Sequence, residues 1–142
     1  MKVLILSGPN LNMLGRREPS VYGAETLDDI LAGLRAAFPH HDIGHYQSNV
    51  EGELVTRIQQ TLAEDWDGLV VNLGAYTHYS YVLLDALRMV QVPKVEVHVS
   101  HIFAREAFRQ TSVIAPACDG MISGLGKDGY LLALTWLERH TR

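Results

Sequence analysis

Short apolar runs alternate along the chain with segments whose apolar residues recur every three or four positions. The runs are rich in β-branched residues and predict five strands, at residues 3–6, 43–46, 69–71, 95–99 and 121–122. The periodic segments predict four helices, at residues 27–38, 54–62, 82–90 and 131–137. Strands that alternate with helices indicate βαβ units. We expect an α/β fold with a flavodoxin-like, doubly wound, five-stranded parallel sheet, in a single domain over residues 1–142.

Local signals predict where three of these helices begin or end. Thr26 is placed to cap the first helix, and Pro93 is expected to end the third. Ser48 and Glu51 have the S-x-x-E spacing of a capping box ahead of the second.

Polar segments follow the strands at the end of the sheet where ligands are expected. In doubly wound sheets, ligands bind in the crevice beyond the carboxyl ends of the strands. The longest irregular segment that follows a strand here spans residues 10–25. Irregular segments of this length are typically lids or binding loops, and we expect a lid at about residues 12–25.

Charge and composition exclude several classes of function. The 142 residues include 12 Lys and Arg against 16 Asp and Glu, which gives a net charge of −4. The sequence has no basic block suited to nucleic acid, and no apolar run approaches the roughly 18 residues of a membrane helix. The one cysteine, Cys118, excludes an internal disulfide and a Cys-rich metal site. We therefore expect a cytoplasmic protein with neither a nucleic acid nor a membrane as partner.

Arg17 and Tyr22 lie five residues apart in the expected lid. A tyrosine hydroxyl has a pKa of about 10 and is a poor base at neutral pH. A neighbouring guanidinium favours the anion, and about 4 kcal/mol of such stabilisation is needed to bring the pKa near 7. The pair therefore suits proton abstraction. The alternative is a solvated arginine near a tyrosine that packs on the surface.

Glu96, His98 and Ser100 alternate with valines at the end of the fourth predicted strand. This spacing places the three side chains on one face of the strand. A carboxylate beside an imidazole sets its tautomer and favours its protonated form, which suits a general acid. The alternative is a half-exposed edge strand, although a central strand in such a sheet is usually apolar throughout.

Asn72 and His78 flank Gly74 after the third predicted strand. Gly74 permits close backbone approach, and the amides around it can hold hydroxyls or an oxyanion together with the Asn72 side chain. A helix-capping turn explains the segment equally well. A zinc site of His78, His98 and Glu96 is not supported, because these residues lack the H-x-x-x-H and H-E-x-x-H spacings. We expect no metal.

Arg105 and Arg109 follow the fourth strand and are separated by one helical turn, so we expect them to face the same way. A guanidinium can bind a carboxylate through two hydrogen bonds, which suits an anionic substrate. The alternative is a solvated helix in which Arg105 pairs with Glu106 or Asp119.

Four longer segments of the chain are distinctive when they are taken together. They read GPNLNMLGRREPSVYG, QSNVEGELV, NLGAYTHYS and EVHVSHIFAREAFR, and a further segment near the end reads GLGKDGYLLAL. In this order and spacing they closely resemble the type II 3-dehydroquinate dehydratases of the shikimate pathway, over almost the whole chain. The resemblance implies that the protein removes water from 3-dehydroquinate to give 3-dehydroshikimate. The reaction would be an anti elimination through an enolate, without cofactor or metal.

The resemblance also implies catalytic roles for individual residues. Tyr22 is implied to be the base that removes the C2 proton, and Arg17 to keep Tyr22 anionic. His98, oriented by Glu96, is implied to protonate the departing C1 hydroxyl. Asn10 is implied to position the water that stabilises the enolate.

Substrate contacts are implied mainly after the third and fourth strands. Asn72, His78 and Arg109 are implied to bind hydroxyls, and the amides of Val99 and Ser100, with the Ser100 hydroxyl, to bind the carboxylate. Asp85 is implied to reach a neighbouring subunit's site, since family members assemble as trimers joined into dodecamers. The expected substrate-binding residues are Asn72, Gly74, His78, Asp85, Val99, Ser100, Arg105 and Arg109.

Three positions depart from the usual family pattern. Leu73 stands where proline is common, Tyr79 where threonine or phenylalanine is more usual, and His101 where asparagine is frequent. We expect Leu73 to loosen the loop that carries Asn72 and His78. His101 is expected to alter hydrogen bonding where the carboxylate binds.

Other functions stay open on the sequence alone. A non-catalytic flavodoxin-like module that binds a small polyhydroxylated or phosphorylated ligand would use the same strand ends. A structural subunit, whose purpose is the oligomer itself, would need no active site.

A Schiff-base mechanism requires a buried lysine. Lys2 and Lys94 begin strands at the opposite edge of the sheet, and only Lys127 lies on the crevice side, so that mechanism is disfavoured.

Overall fold

All five predicted strands form, and they pair in parallel in the order β2-β1-β3-β4-β5. The computed structural model describes residues 1–16 and 18–141. The strands are β1 (Lys2–Ser7), β2 (Asp42–Gln47), β3 (Gly68–Asn72), β4 (Lys94–His98) and β5 (Gly120–Ser123). The strand order and the parallel pairing confirm the predicted flavodoxin-like α/β fold.

Helices cover both faces of this sheet. The α-helices are α1 (Pro19–Tyr22), α2 (Leu27–Ala37), α3 (Glu51–Thr61), α4 (Tyr81–Arg88) and α5 (Asp128–His140). Short 3₁₀ helices lie at Leu11–Met13, Gly74–His78, Ile102–Ala104, Ala107–Gln110 and Ala115–Ala117. In the described part of the chain, no helix has the length and apolar character needed to cross a membrane.

The core consists of two apolar layers, one on each face of the sheet. Successive residues of β1 point to opposite faces, so Val3 and Ile5 belong to one layer, and Leu4 and Leu6 to the other. Helices α2 and α5 cover the first layer, and α3 and α4 cover the second. Because both faces are covered, β3 and β4 are buried along their whole length, and β1 is buried from Val3 to Ser7.

Helix α2 begins as predicted, whereas α3 does not. Thr26 accepts a hydrogen bond from the Asp29 amide and Asp29 accepts one from the Thr26 amide, which completes a capping box. The capping box predicted from Ser48 is wrong, because Glu51 is already the first residue of α3. The Ser48 hydroxyl instead donates to the Glu53 carboxylate, one turn into the helix, and accepts from the Val50 amide.

Two segments predicted as irregular or helical have a different local structure. The expected lid contains α1 and a 3₁₀ turn at Leu11–Met13 rather than an irregular chain throughout. The single helix expected around Arg105 and Arg109 is wrong. Arg105 lies between two short 3₁₀ helices, because the hydrogen bond from the Arg105 amide to Ile102 closes a three-residue turn that is not continued.

The carboxyl ends of β1, β3 and β4 meet through the register of the sheet and one close backbone contact. Ser7 pairs with Asn72, and Val71 pairs with Glu96. The Gly8 amide donates to the Asn72 carbonyl at 2.8 Å. A Cβ atom on Gly8 would lie 2.5 Å from the Leu73 backbone, so only glycine allows these two segments to touch.

Candidate active site

A crevice of about 110 Å³ opens at the carboxyl ends of β1, β3 and β4. It lies where a doubly wound sheet is expected to bind its ligand. Ten of the predicted site residues line it: Asn10, Tyr22, Asn72, Gly74, His78, His98, Val99, Ser100, Arg105 and Arg109. Residues that are distant in the chain therefore share one cavity.

Glu96 and His98 form a buried pair on the wall of this crevice. The Glu96 side chain is fully buried and the His98 residue is 5% exposed. The His98 Nε2 atom lies 2.5 Å from Glu96 Oε2, and alternation along β4 places both side chains on the same face. Because β4 lies between β3 and β5, the alternative of a half-exposed edge strand is wrong.

Ser112 also contacts this pair, and the sequence analysis missed it. Its hydroxyl oxygen lies 2.9 Å from each of the two Glu96 carboxylate oxygens. Ser112 belongs to the segment between two 3₁₀ helices that precedes β5, and no pattern in the sequence relates that segment to Glu96. The contact arises only because the chain passes behind β4.

Asn72 is oriented by a second residue that the sequence analysis missed. The Asn72 side-chain amide donates to the Tyr130 hydroxyl at 3.0 Å, and its carbonyl oxygen accepts from the Gly74 amide at 3.3 Å. Tyr130 lies on α5, and burial raises the pKa of its hydroxyl to about 12. Tyr130 is therefore a neutral, fixed partner that holds Asn72 in place.

His78 faces the crevice beside His98. The Nδ1 atom of His78 is 2.8 Å from the Thr111 carbonyl, and its ring stacks on that of His98 with the centroids 6.3 Å apart. Burial lowers the pKa of His78, with the charges of His98 and Arg109 acting in the same direction and the Thr111 hydrogen bond against it. The neutral imidazole donates through Nδ1 to this carbonyl, which leaves Nε2 as an acceptor for a substrate hydroxyl.

The two arginines of the crevice have different partners. Arg105 Nη1 donates to the Ser100 hydroxyl at 3.0 Å, and its guanidinium carbon lies 5.2 Å from the centroid of the Tyr22 ring. The alternative pairing of Arg105 with Glu106 or Asp119 is wrong, because Arg109 binds Glu106, at 2.7 Å, and the Asp119 carboxylate accepts from the Lys94 amide. Arg105 thus places positive charge between the carboxylate-binding segment expected at Ser100 and the Tyr22 ring.

Two other predicted residues, Glu96 and Asp85, lie apart from the crevice lining. Glu96 is behind His98, fully buried. Asp85 is exposed on α4. Arg17 lies outside the described residues.

The family model described as Dehydroquinase class II matches residues 1–138 of the chain. The chain belongs to this family. It is 55% identical over 141 residues to the 3-dehydroquinate dehydratase of Roseiflexus castenholzii, which covers 96% of this chain and 88% of that relative. It is 46% identical over 140 residues to the 3-dehydroquinate dehydratase of Clostridium beijerinckii, which covers 97% of this chain and 96% of that relative.

A solved structure supports the same assignment. The crystal structure of a type II dehydroquinase from Butyrivibrio crossotus has a TM-score of 0.94 to this chain, at 42% identity and with 97% of each chain covered. Membership of the class II dehydroquinase family confirms the predicted enzyme class, which is a hydro-lyase, and the shikimate pathway follows from the family.

Apolar residues of the class II dehydroquinase crevice were also missed by the sequence analysis. They line its floor and rim, and they are Pro9, Leu11, Leu14, Ala75 and Ile102. Their positions next to the polar motifs were the available signal. Apolar side chains beside motif residues are as common in cores as in binding sites, so sequence alone does not separate the two.

The three departures from the family pattern lie at different depths. Leu73 is fully buried, and its backbone packs against Gly8. Tyr79 is 58% exposed and contacts the Tyr76 ring edge-on. His101 is exposed next to Gly124, whose own Cβ, if present, would lie 2.9 Å from that of His101.

Among the residues that the structure describes, the donors needed for a metal or for a Schiff base do not converge on this crevice. Over residues 1–16 and 18–141, no group of three His, Cys, Asp or Glu side chains is arranged to hold a metal ion. The lysine nearest in sequence to a crevice segment, Lys94, donates through its ammonium group to the carbonyls of Val90 and Val92. Lys127 forms an ion pair with Glu25, at 2.5 Å.

Proposed function

We propose that this member of the class II dehydroquinase family removes water from 3-dehydroquinate by anti elimination through an enolate, and that it releases 3-dehydroshikimate. The observation that carries the proposal is the buried Glu96–His98 pair in a crevice that Tyr22 also lines. An acid and a base at one small cavity are what the elimination of water requires.

In the first step, Tyr22 acts as the base. Its phenolate oxygen takes the C2 proton, and the C–H bonding electrons move into the enolate formed with the C3 carbonyl. The guanidinium carbon of Arg105 lies 5.2 Å from the centroid of the Tyr22 ring, so a positive charge stands beside the base. In this proposal Arg17, in the lid, keeps Tyr22 anionic. Asn10 positions a water that donates to the enolate oxygen.

In the second step, His98 acts as the acid. The enolate electrons form the C1–C2 double bond, the C1–O bond breaks, and His98 gives its proton to the departing hydroxyl, which leaves as water. Because Nε2 of His98 is bound to Glu96, the proton is carried on Nδ1. The Glu96 carboxylate accepts from the ring and holds its orientation.

The substrate carboxylate binds at the end of β4 in this proposal. The amides of Val99 and Ser100 donate to it. Arg105 already donates to the Ser100 hydroxyl oxygen, so the hydroxyl hydrogen of Ser100 is free to point to the carboxylate. The substrate carboxylate is thereby bound by neutral donors, and the guanidinium of Arg105 lies next to the Ser100 hydroxyl.

The ring hydroxyls bind on the β3 side. Two of them form hydrogen bonds with Asn72, which Tyr130 holds in place, and with the neutral ring of His78. Arg109 binds another. Gly74 adopts a positive φ of 58° and brings the backbone of this segment against Pro9 at the crevice wall. A Cβ atom at position 74 would lie 2.9 Å from the Pro9 carbonyl oxygen, so glycine is needed for this close approach.

Assembly and location are further parts of the proposal. We propose a homo-oligomer of trimers joined into a dodecamer, in which the exposed Asp85 of one subunit reaches the crevice of its neighbour. The predicted cytoplasmic location is retained. Neither cofactor nor metal has a role in the proposed steps.

The proposal is tested by mixing the purified protein with 3-dehydroquinate in the presence of a chelator and no added cofactor. We expect an ultraviolet-absorbing enone to form. A non-catalytic module would bind the substrate without producing that absorbance, and a structural subunit would do neither. Treatment with borohydride in the presence of substrate should leave turnover unchanged, because no iminium with a lysine forms.

A further inference from the structure

Ser112 is half-buried behind the crevice and contacts the Glu96 carboxylate from outside the sheet. Its hydroxyl oxygen is 2.9 Å from both carboxylate oxygens of Glu96. Glu96 itself is fully buried. In the described part of the chain, the hydrogen bonds to this carboxylate come from His98 and Ser112.

The direction of the Ser112 hydrogen bond follows from a third contact. The Ala115 amide donates to the Ser112 hydroxyl oxygen at 3.1 Å. A hydroxyl has one hydrogen to donate, and an ionised carboxylate can only accept. With the oxygen occupied by the Ala115 amide, the single hydrogen of Ser112 points to Glu96.

The two donors to Glu96 hold the carboxylate at different atoms. His98 binds Oε2 alone, so without Ser112 the buried Oε1 atom would have no hydrogen-bond partner among the described residues. Ser112 lies 2.9 Å from each oxygen, so it pairs Oε1 and, together with the His98 contact, holds the carboxylate in position. Hydrogen bonds to charged groups are stronger than those between neutral groups, and their partners orient the groups that act on substrate.

We infer that Ser112 is a positioning residue that holds the Glu96 carboxylate in place, so that His98 is presented to the leaving hydroxyl in one tautomer and one orientation. The inference rests on the proposed role of His98 as the acid. Ser112 does not reach the crevice, so its effect falls on the chemical step and not on substrate binding.

The variant Ser112→Ala tests this inference by steady-state kinetics with 3-dehydroquinate. We expect kcat to fall about tenfold, the effect of one lost hydrogen bond to a charged group, while KM changes less than about twofold. Ser112→Thr keeps the hydroxyl and should restore most of kcat. In a Glu96→Gln background, Ser112→Ala should cause little further loss, since both changes disturb the same unit.

Ser80→Ala is the matched control. The Ser80 hydroxyl accepts from the Leu83 amide at 3.1 Å, just as the Ser112 hydroxyl accepts from the Ala115 amide, but Ser80 caps α4. The control variant should lower the melting temperature by about as much as Ser112→Ala and leave kcat unchanged. An equal loss of kcat in both variants would reduce Ser112 to a structural role.

A crystal structure of Ser112→Ala separates this inference from the proposed function. We expect the Glu96 carboxylate to turn and the His98 ring to shift relative to the unmodified protein. If the unmodified protein did not convert 3-dehydroquinate, the proposed function would fail, yet the shift would still show that Ser112 positions Glu96. An unchanged Glu96–His98 geometry, or wild-type kcat in Ser112→Ala, would overturn the inference.

Discussion

The crevice has two halves that are built in different ways. At the end of β4, Glu96, His98 and Ser100 are between 0% and 8% exposed, and the sheet register and buried hydrogen bonds fix their positions. The other half comes from the segment at 10–25, where Asn10 is exposed and Tyr22 is half-buried. That half is held by turns of three or four residues.

The segment at 10–25 also stores more local strain than the end of β4. Asn10 and Glu18 have φ values of 69° and 38°, in the left-handed region that residues other than glycine seldom adopt. Two glycines in the same segment, Gly15 and Gly23, have φ values of 86° and 84°. We call the end of β4 the acid half of the crevice and the segment at 10–25 the base half. We infer that the acid half is assembled with the core, whereas the base half depends on local turns that can change without unfolding the sheet.

Replacing His98 by alanine should have the largest effect, because it damages both the chemistry and the core. We expect kcat to fall about 10³-fold, since the acid is lost. The free energy of unfolding should fall by about 3 kcal/mol, because buried Glu96 loses its imidazole partner. Kinetics and urea denaturation measure the two effects. Full stability in this variant would contradict the view that the acid half is part of the core.

Replacing Tyr22 by phenylalanine should affect activity alone. The ring and its contact with Arg105 remain, while the oxygen that takes the proton is lost. We expect kcat to fall about 10³-fold and the free energy of unfolding to change by less than about 0.5 kcal/mol. Arg17→Ala should likewise lower kcat. Near-wild-type turnover in both variants would mean that the base lies elsewhere.

Replacing Gly8 by alanine should disturb the backbone contact between the ends of β1 and β3, which lead into the segment at 10–25 and into the segment that carries His78. The new Cβ would lie 2.5 Å from the Leu73 backbone, so one strand end must move, and we expect a loss of about 3 kcal/mol in the free energy of unfolding. Gly33→Ala on α2 is the control. Nothing lies within 4 Å of its new Cβ, and better helix propensity should stabilise the protein by about 0.5 to 1 kcal/mol. Calorimetry measures the stability of both variants. A Gly8→Ala variant as stable as the unmodified protein would contradict a tight contact between Gly8 and the Leu73 backbone.

The pH dependence of stability should reveal one histidine beside each half, with the smallest effect of the four. Burial lowers the pKa of His78, which stacks on His98 in the acid half, and of His45, which contacts Ser7 beneath the segment at 10–25, from the ordinary value of 6.5. The unfolded chain therefore binds protons below about pH 6.5 that the folded chain does not, so stability falls as the pH drops through and below that value.

The variants His45→Gln and His78→Gln test this pH dependence singly and together. Each should flatten the fall in melting temperature between pH 7 and pH 5, and the double variant should flatten it most. An undiminished fall in the double variant would assign the acid sensitivity to other groups.

The sequence was sufficient for the parts of this protein that depend on neighbours along the chain. Strand and helix periodicity predicted the five-stranded parallel sheet, and Thr26 predicted the start of α2. The strand ends predicted that the polar segments after β1, β3 and β4 share one crevice, because parallel strands must end at the same edge. The pairing of Glu96 with His98 followed from two-residue alternation along one strand.

The tertiary structure alone decided the contacts that join distant segments. Ser112 contacts Glu96 on β4, and Tyr130 on α5 contacts Asn72. Each contact depends on how distant segments pack, and no periodic pattern in the sequence predicts it. The 3₁₀ turns around Arg105 and the true start of α3 after Ser48 were likewise not predicted. Periodicity reports which face of an element is buried, whereas the direction of a single hydrogen bond depends on which other segment packs there.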